Sequence, residues 1–295
     1  METQEIPLSN IAPQALVQHI GEADIPYLAY GSDGLPLVFL HATGFLPWLW
    51  HPIARELATP PYRVMAPYFC DHRKADPADG GLGWQILAHD FALFCRALRL
   101  DRPFLVGHSM GATVLTLANA LFHLNARGMV LIEPIFLPED FYKTEIGVEQ
   151  HPLASKTIRR LNSWANREEA LSYLRSRSLF KNWDTEMLDL YVQYGMTSGD
   201  GGNLQLTCSP EREAALFMGG MQHDPWPEPA KTTCPVLVLE GEISENRAFI
   251  DLKRVASCFP RGAYRLVEGA GHLIPMEQPR EVTEMIRGFF GECEA

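Results

Sequence analysis

A serine set between glycines, Gly107-His108-Ser109-Met110-Gly111, is the stretch of this sequence best suited to covalent chemistry. The apolar run Phe104-Leu105-Val106 leads into it, and Ala112 to Ala120 follows in helix-compatible spacing. Strand, Gly-x-Ser-x-Gly, helix is the context in which a serine sits on a sharp, strained turn with its hydroxyl exposed, a nucleophile elbow. Small residues on either side let neighbouring backbone pass close by, and the following helix directs its positive end at the site. Outside that context the same five residues would read as a tight turn with a surface serine.

A serine hydroxyl is weakly nucleophilic at its own pKa and needs a base. His272 is the natural candidate: it ends the glycine-flanked loop Gly269-Ala270-Gly271-His272 after the last strand pattern. That placement gives the chain order Ser…acid…His expected of an elbow nucleophile. The chemistry served is acyl transfer, with the hydroxyl attacking a carbonyl and the imidazole carrying its proton. His108, next to the serine, reads as packing or pocket wall, because adjacent side chains in a sharp turn diverge.

The elements that must hold these residues alternate between short apolar strands and helices. Strand patterns lie at Ile25 to Tyr30, Pro36 to Leu40, Tyr62 to Ala66, Phe104 to Val106, Gly128 to Pro134, Pro235 to Leu239 and Ala263 to Val267. Helical spacing marks the residues around Trp50 to Leu57, Trp84 to Leu98, Arg247 to Cys258 and Pro279 to about Phe290. The alternation predicts an α/β fold, a mostly parallel sheet with helices on both faces. Between about Pro138 and Pro229 the pattern turns helical, as at Ala170 to Leu179 and Thr185 to Val192, with a loop at Gly199-Asp200-Gly201-Gly202 and no convincing buried strand. The expected division is a core of residues 1–137 and 230–295, with 138–229 inserted as a helical cap.

The chain of 295 residues, 46% hydrophobic and 21% charged, has the composition of a globular enzyme and is long enough to need no disulfide or metal. A formal net charge of −11 without any Lys/Arg block argues against nucleic acid and anionic membrane as partners. No apolar run approaches membrane-spanning length. The six cysteines lack C-x-x-C spacing and are expected to be reduced and mostly buried. Met1 to Pro7 shows neither a basic nor an apolar leader segment, so the expected location is the cytoplasm.

Three motifs together, Gly107 to Gly111, His41-Ala42-Thr43-Gly44-Phe45 and Gly271-His272-Leu273-Ile274-Pro275-Met276-Glu277-Gln278-Pro279, resemble the α/β-hydrolase superfamily. The stretch Gly241 to Arg247 is also similar to hydrolases of the fungal toxin-biosynthesis type. The resemblance implies an α/β-hydrolase fold, a catalytic triad without a cofactor, and an oxyanion hole formed by the backbone N–H groups of Met110 and Thr43. Many relatives carry the triad acid three positions after the glycine that ends the penultimate strand, a place held here by Ser244. Glu245, one residue later, could reach the histidine; Glu133 ends the strand after the elbow helix, where other relatives place the acid. The two stay open, with the strand-end position favouring Glu133 slightly. A second departure is Tyr68-Phe69-Cys70-Asp71-His72-Arg73, where relatives have an aspartate and a glycine-rich loop.

The expected function is hydrolysis of an ester, lactone or thioester of a mainly apolar acyl group, a small-molecule substrate. C–C bond hydrolysis or a lyase reaction would keep the same serine and histidine. A hydrolase-fold ligand-binding protein with little turnover would be consistent with the displaced acid. Trp48, Trp50, Trp164, Tyr173, Phe180 and Trp183 read mainly as packing, and Glu277 and Arg280 as structural charges.

Overall fold

The chain's strands are β1 (Gln14–His19), β2 (Asp24–Tyr30), β3 (Leu35–Leu40), β4 (Tyr62–Pro67), β5 (Phe104–His108), β6 (Gly128–Ile132), β7 (Met196–Ser198), β8 (Leu204–Leu206), β9 (Val236–Gly241) and β10 (Gly262–Val267) in a computed structural model that describes residues 12–294. Its helices are α1 (His51–Leu57), α2 (Trp84–Ala97), α3 (Met110–Phe122), α4 (Ala154–Thr157), α5 (Arg167–Arg175), α6 (Thr185–Tyr194), α7 (Pro210–Gly219), α8 (Leu252–Cys258), α9 (Ile274–Glu277) and α10 (Pro279–Glu294). Met1 to Pro7, read above for a leader, lies outside the described residues.

Eight strands form one sheet in the order β1-β2-β4-β3-β5-β6-β9-β10. From β4 to β10 every pairing is parallel, and β1 and β2 join antiparallel at one edge. The central strands β5, β6 and β9 are buried at every position. That is why they read as continuous apolar runs: helices cover both faces of a parallel sheet. Strand β1 is almost wholly exposed, so its sequence carries no burial pattern that would mark it as a strand.

Helix α10 buries Val282, Met285, Ile286 and Phe290, a stripe at helical spacing. Phe290 meets Phe104 at the start of β5 with ring centroids 4.4 Å apart. Burying such a ring stabilises the fold by about 1.5–3 kcal/mol. The helix thus braces the strand that leads into the elbow.

Between β6 and β9 the chain leaves the sheet for an excursion holding α4 to α7. It also holds a two-stranded ribbon, β7 antiparallel to β8. The ribbon is buried at only one position in each strand, so it carries no buried-strand pattern for a sequence to show. Its strands are three residues each, too short to show alternation, and they flank the glycine-rich loop at Gly199 to Gly202.

The cysteines depart from expectation. Cys70, in the loop after β4, is disulfide-bonded to Cys208, just before α7, while Cys95, Cys234, Cys258 and Cys293 are free. The two partners stand 138 residues apart, so linear spacing could not reveal what packing of the excursion brings together. Disulfides persist mainly in oxidising compartments, so cysteine usage lends no support to a cytoplasmic location. No helix among the described residues is long and apolar enough to cross a membrane.

Candidate active site

The strand order reverses between β3 and β5, and open α/β sheets bind ligands at the carboxyl ends of strands at such a switch point. Two of the motifs read from the sequence leave the sheet there: His41 to Phe45 after β3 and the elbow after β5.

Ser109 sits at φ 53°, ψ −119°, between the last residue of β5 and the first of α3. A non-glycine residue at such a φ is held by its surroundings at a cost of about 1–3 kcal/mol. Its N–H donates to the Ile132 carbonyl at 2.9 Å, tying the turn to β6. The flanking glycines are there for close approach. A Cβ on Gly107 would lie 2.6 Å from Ala112 Cα, and one on Gly111 would lie 2.2 Å from the Leu40 carbonyl oxygen.

Ser109 Oγ lies 3.1 Å from Nε2 of His272, and Nδ1 of the same ring lies 2.9 Å from Glu133 Oε2. A neutral imidazole protonated at Nδ1 satisfies both contacts, donating to the carboxylate and accepting from the hydroxyl. Glu133 follows β6 directly and is buried, with φ 50°. Its Oε1 accepts from the Gly241 N–H at 2.7 Å, and its Oε2 accepts from Ser244 Oγ at 2.8 Å. Thr113, one turn into α3, pins the chain after Glu133 by accepting from the Ile135 N–H at 2.8 Å.

Glu245 is brought to a different place. It is exposed at the start of a short 3₁₀ turn, and among the described residues it makes no hydrogen bond to His272. The physical reason is that Ser244 and Asn246 turn inward from this loop while the residue between them turns out. The Asn246 side-chain amide lies 2.9 Å from His272 Nδ1. With Nδ1 protonated, the amide must turn its oxygen to the ring, since only the oxygen accepts. Sequence reading missed Asn246 and Thr113, and it took Ser244 only as a lost acid; no spacing rule marks them.

The histidine is placed through its backbone. His108 Nε2 donates to the His272 carbonyl at 2.9 Å, and Glu277 accepts from the neighbouring Gly271 N–H at 2.7 Å. Burial, helped by the facing His272, pushes the His108 pKa down to about 3, so it serves as a neutral donor. His41 is neutral for the same reason, with burial lowering its pKa to about 4. Its Nδ1 donates to the Ala42 carbonyl at 2.8 Å and its Nε2 accepts from the Phe69 N–H at 3.0 Å. The loop Tyr68 to Arg73 therefore fixes the His41 to Phe45 turn. Arg73 and His72 in turn hold the buried Asp90 of α2.

Met110 and Thr43 are both buried, and among the described residues neither backbone N–H has a hydrogen-bond acceptor. Phe45 reaches into the excursion and meets Trp183 and Tyr191 edge-on at 5.5 and 5.8 Å between ring centroids. Phe180 packs on both of these rings. Trp48 stacks on Tyr194 at 3.6 Å, whereas Trp50 is buried against Phe39 in the core.

A sheet of this order, with an elbow serine, a loop histidine and a strand-end acid, defines an α/β hydrolase. The chain belongs to the alpha/beta hydrolase family, whose model matches residues 37–285. It is 25% identical over 231 residues to the Abhydrolase domain-containing protein ACTT2 of Alternaria alternata, covering 66% of this chain and 86% of that one. It is also 25% identical over 220 residues to the 2-(acetamidomethylene)succinate hydrolase of Mesorhizobium japonicum, covering 74% of each. Among solved structures, E-2-(acetamidomethylene)succinate hydrolase superposes with a TM-score of 0.79 at 21% identity, over 95% of this chain and 100% of that one. The thioesterase domain from the curacin biosynthetic pathway gives 0.75 at 18% identity, over 94% and 99%. At these identities the superpositions speak for the fold.

Proposed function

We propose that the protein is a serine hydrolase that cleaves an ester, lactone or thioester of a mainly apolar acyl group through an acyl-enzyme. The observation that carries this reading is the continuous contact Ser109 Oγ–His272 Nε2, His272 Nδ1–Glu133 Oε2, at 3.1 and 2.9 Å. Ser109 attacks the carbonyl carbon as His272 takes the hydroxyl proton at Nε2. Glu133 holds the resulting imidazolium by its Nδ1–H and does not itself take a proton. The free N–H groups of Met110 and Thr43 receive the oxyanion, a pair of donors each worth about 3–4 kcal/mol in a transition state.

Collapse of the tetrahedral intermediate expels the alcohol or thiol, which leaves with the proton from His272. Water then gives a proton to His272 as it attacks the acyl carbon. Collapse of the second intermediate, with His272 returning that proton to Ser109 Oγ, releases the acid and the free serine. The excursion between β6 and β9 acts as a cap over this site. The aromatic cluster of Phe45, Phe180, Trp183 and Tyr191, joining cap to core, supports an apolar acyl group. The Mesorhizobium relative's name gives a further compound to try.

A panel of short acyl esters, lactones and thioesters, run with Ser109→Ala and His272→Ala, tests the reading. Each substitution should lower kcat by about 10⁴-fold or more, as removal of one triad member does elsewhere. A fluorophosphonate should label Ser109 in the folded protein. Full activity in either variant, or a folded protein that the probe leaves unlabelled, would overturn it.

A further inference from the structure

We infer that Glu213, on cap helix α7, is a positioning residue for the oxyanion loop, so that the cap sets the geometry of the site it covers. The inference rests on the serine-hydrolase reading above, because it concerns where the Thr43 N–H points.

Gly44 follows Thr43 and has φ +74°, in the left-handed region. A Cβ built there would lie 2.4 Å from Glu213 Oε1, 2.5 Å from Cδ and 2.9 Å from Cγ. The buried Glu213 side chain thus occupies the space a side chain at residue 44 would fill, flush against the loop's backbone. Gly44 cannot move toward the cap without meeting the carboxyl, and a turn held on that side keeps the preceding amide in place.

The carboxyl is itself fixed. Arg160 Nη1 lies 2.5 Å from Glu213 Oε2, and Arg160 Nη2 donates to the Cys208 carbonyl at 3.3 Å. Ser209 caps α7 by accepting from the Arg212 N–H, and Cys208 is bonded to Cys70. Cys70 follows Phe69, whose N–H donates to His41 Nε2, and His41 begins the oxyanion loop. The path Gly44, Glu213, Cys208, Cys70, Phe69, His41 and back along the chain is a closed ring through cap and core. Two further contacts dock α7 beside it: Leu82 N–H to the Ala215 carbonyl and Trp84 Nε1 to the Leu216 carbonyl, at 2.9 and 2.8 Å.

The contact is one of shape more than charge. Burial pushes the Glu213 pKa up to about 7, against the opposing pull of Arg160, so a neutral carboxyl is accessible in place. Two substitutions separate the possibilities. Glu213→Gln keeps the side-chain length and an oxygen for Arg160 while removing the charge. Glu213→Asp keeps the charge but withdraws the carboxyl from Gly44 by one methylene.

The experiment measures kcat and KM for wild type, E213D and E213Q on a short acyl ester, with thermal melts to keep each assay below unfolding. Misplacement of a catalytic group by about 1 Å can cost 10²-fold and loss of one oxyanion donor about 10²–10³. E213D should therefore lose about tenfold or more in kcat with KM within about twofold, while E213Q stays within about threefold of wild type in both. The inference is overturned if E213D keeps its kcat, if E213Q loses as much as E213D, or if the loss lies in KM.

Wild type that neither turns over nor takes the fluorophosphonate overturns the serine-hydrolase reading instead. Should E213D fail to fold, reduction of the disulfide in wild type opens the same ring. The expected result is a fall in kcat, with KM little changed and recovery on reoxidation; an unchanged kcat after complete reduction overturns the inference.

Discussion

Ser244 Oγ lies 2.8 Å from Glu133 Oε2, the oxygen that faces His272 Nδ1. Ser244, in the loop after β9, is thus a hydrogen-bond donor to a carboxylate that directly follows β6. With the Gly241 N–H and the imidazole, Ser244 gives the buried Glu133 carboxyl three hydrogen-bond donors.

Replacing the acid should be costly and partly reversible. Glu133→Gln leaves the ring without its carboxylate and should lower kcat by about 10²–10⁴-fold, the upper end being what loss of the correct tautomer costs. Adding Ser244→Asp to that variant restores a carboxylate within reach of the ring and should recover at least tenfold. Steady-state kinetics of the single and double variants, at matched folding, decide this; a double variant no faster than Glu133→Gln refutes it.

Acid should destabilise the fold through its buried histidines. His41 and His108 take protons near pH 6.5 when unfolded but only near pH 4 and 3 when folded. Between those values the unfolded chain binds more protons, so stability is lost as pH falls from about 6.5, by up to about 1.4 kcal/mol per pH unit for each ring. Glu213 has the opposite slope. Its pKa is raised to about 7, so its contribution is present at low pH and lost as pH rises from about 4.3 to 7. Glu213→Gln removes that opposing slope, and its melting temperature should fall more steeply with acid than wild type's. Parallel melting curves from pH 7 to 5 would exclude this role for Glu213.

The disulfide should matter to stability as well as to geometry. Cys70 and Cys208 close a loop over 138 residues of sequence separation, and removing a bridge of this kind costs about 2–5 kcal/mol. Denaturant unfolding with and without a phosphine reductant measures the difference. Hydrogen exchange should show the loss first in residues 208–219, which the bridge ties to the core.

Two glycine-to-alanine substitutions should differ in sign. A methyl on Gly111 would meet the Leu40 and His41 carbonyl oxygens at 2.2 and 2.6 Å, forcing β3 and the elbow apart. Gly111→Ala should cost about 1–3 kcal/mol, as overpacking does, and should lower kcat beyond the effect on folding. Gly288 in α10 has open space around it, so Gly288→Ala should stabilise by about 0.5–1 kcal/mol through helix propensity. Thermal or urea unfolding of the pair checks both signs.

The strands and helices that bury a face were legible in the sequence, because burial on one or both sides imposes an apolar period. The candidate site was legible where chemistry demands a motif: Ser109 between its glycines and His272 on its loop. What escaped was set by packing across long separations. The Cys70–Cys208 bond, the Asn246 contact with the imidazole and the seat of Glu213 on Gly44 each join segments that nothing in local spacing relates. The choice between Glu133 and Glu245 was open for the same reason. Strand-end position spoke for one and proximity to the usual place for the other, and only the turn of the loop after β9 separates them in space.

The pairing of β5 with β6 sets His108 opposite Ile132, so Ser109 and Glu133 leave the sheet side by side from neighbouring strands. Their separation is written into a backbone ladder rather than into a loop. The segment after β9 reaches the same carboxylate and imidazole through Ser244 and Asn246.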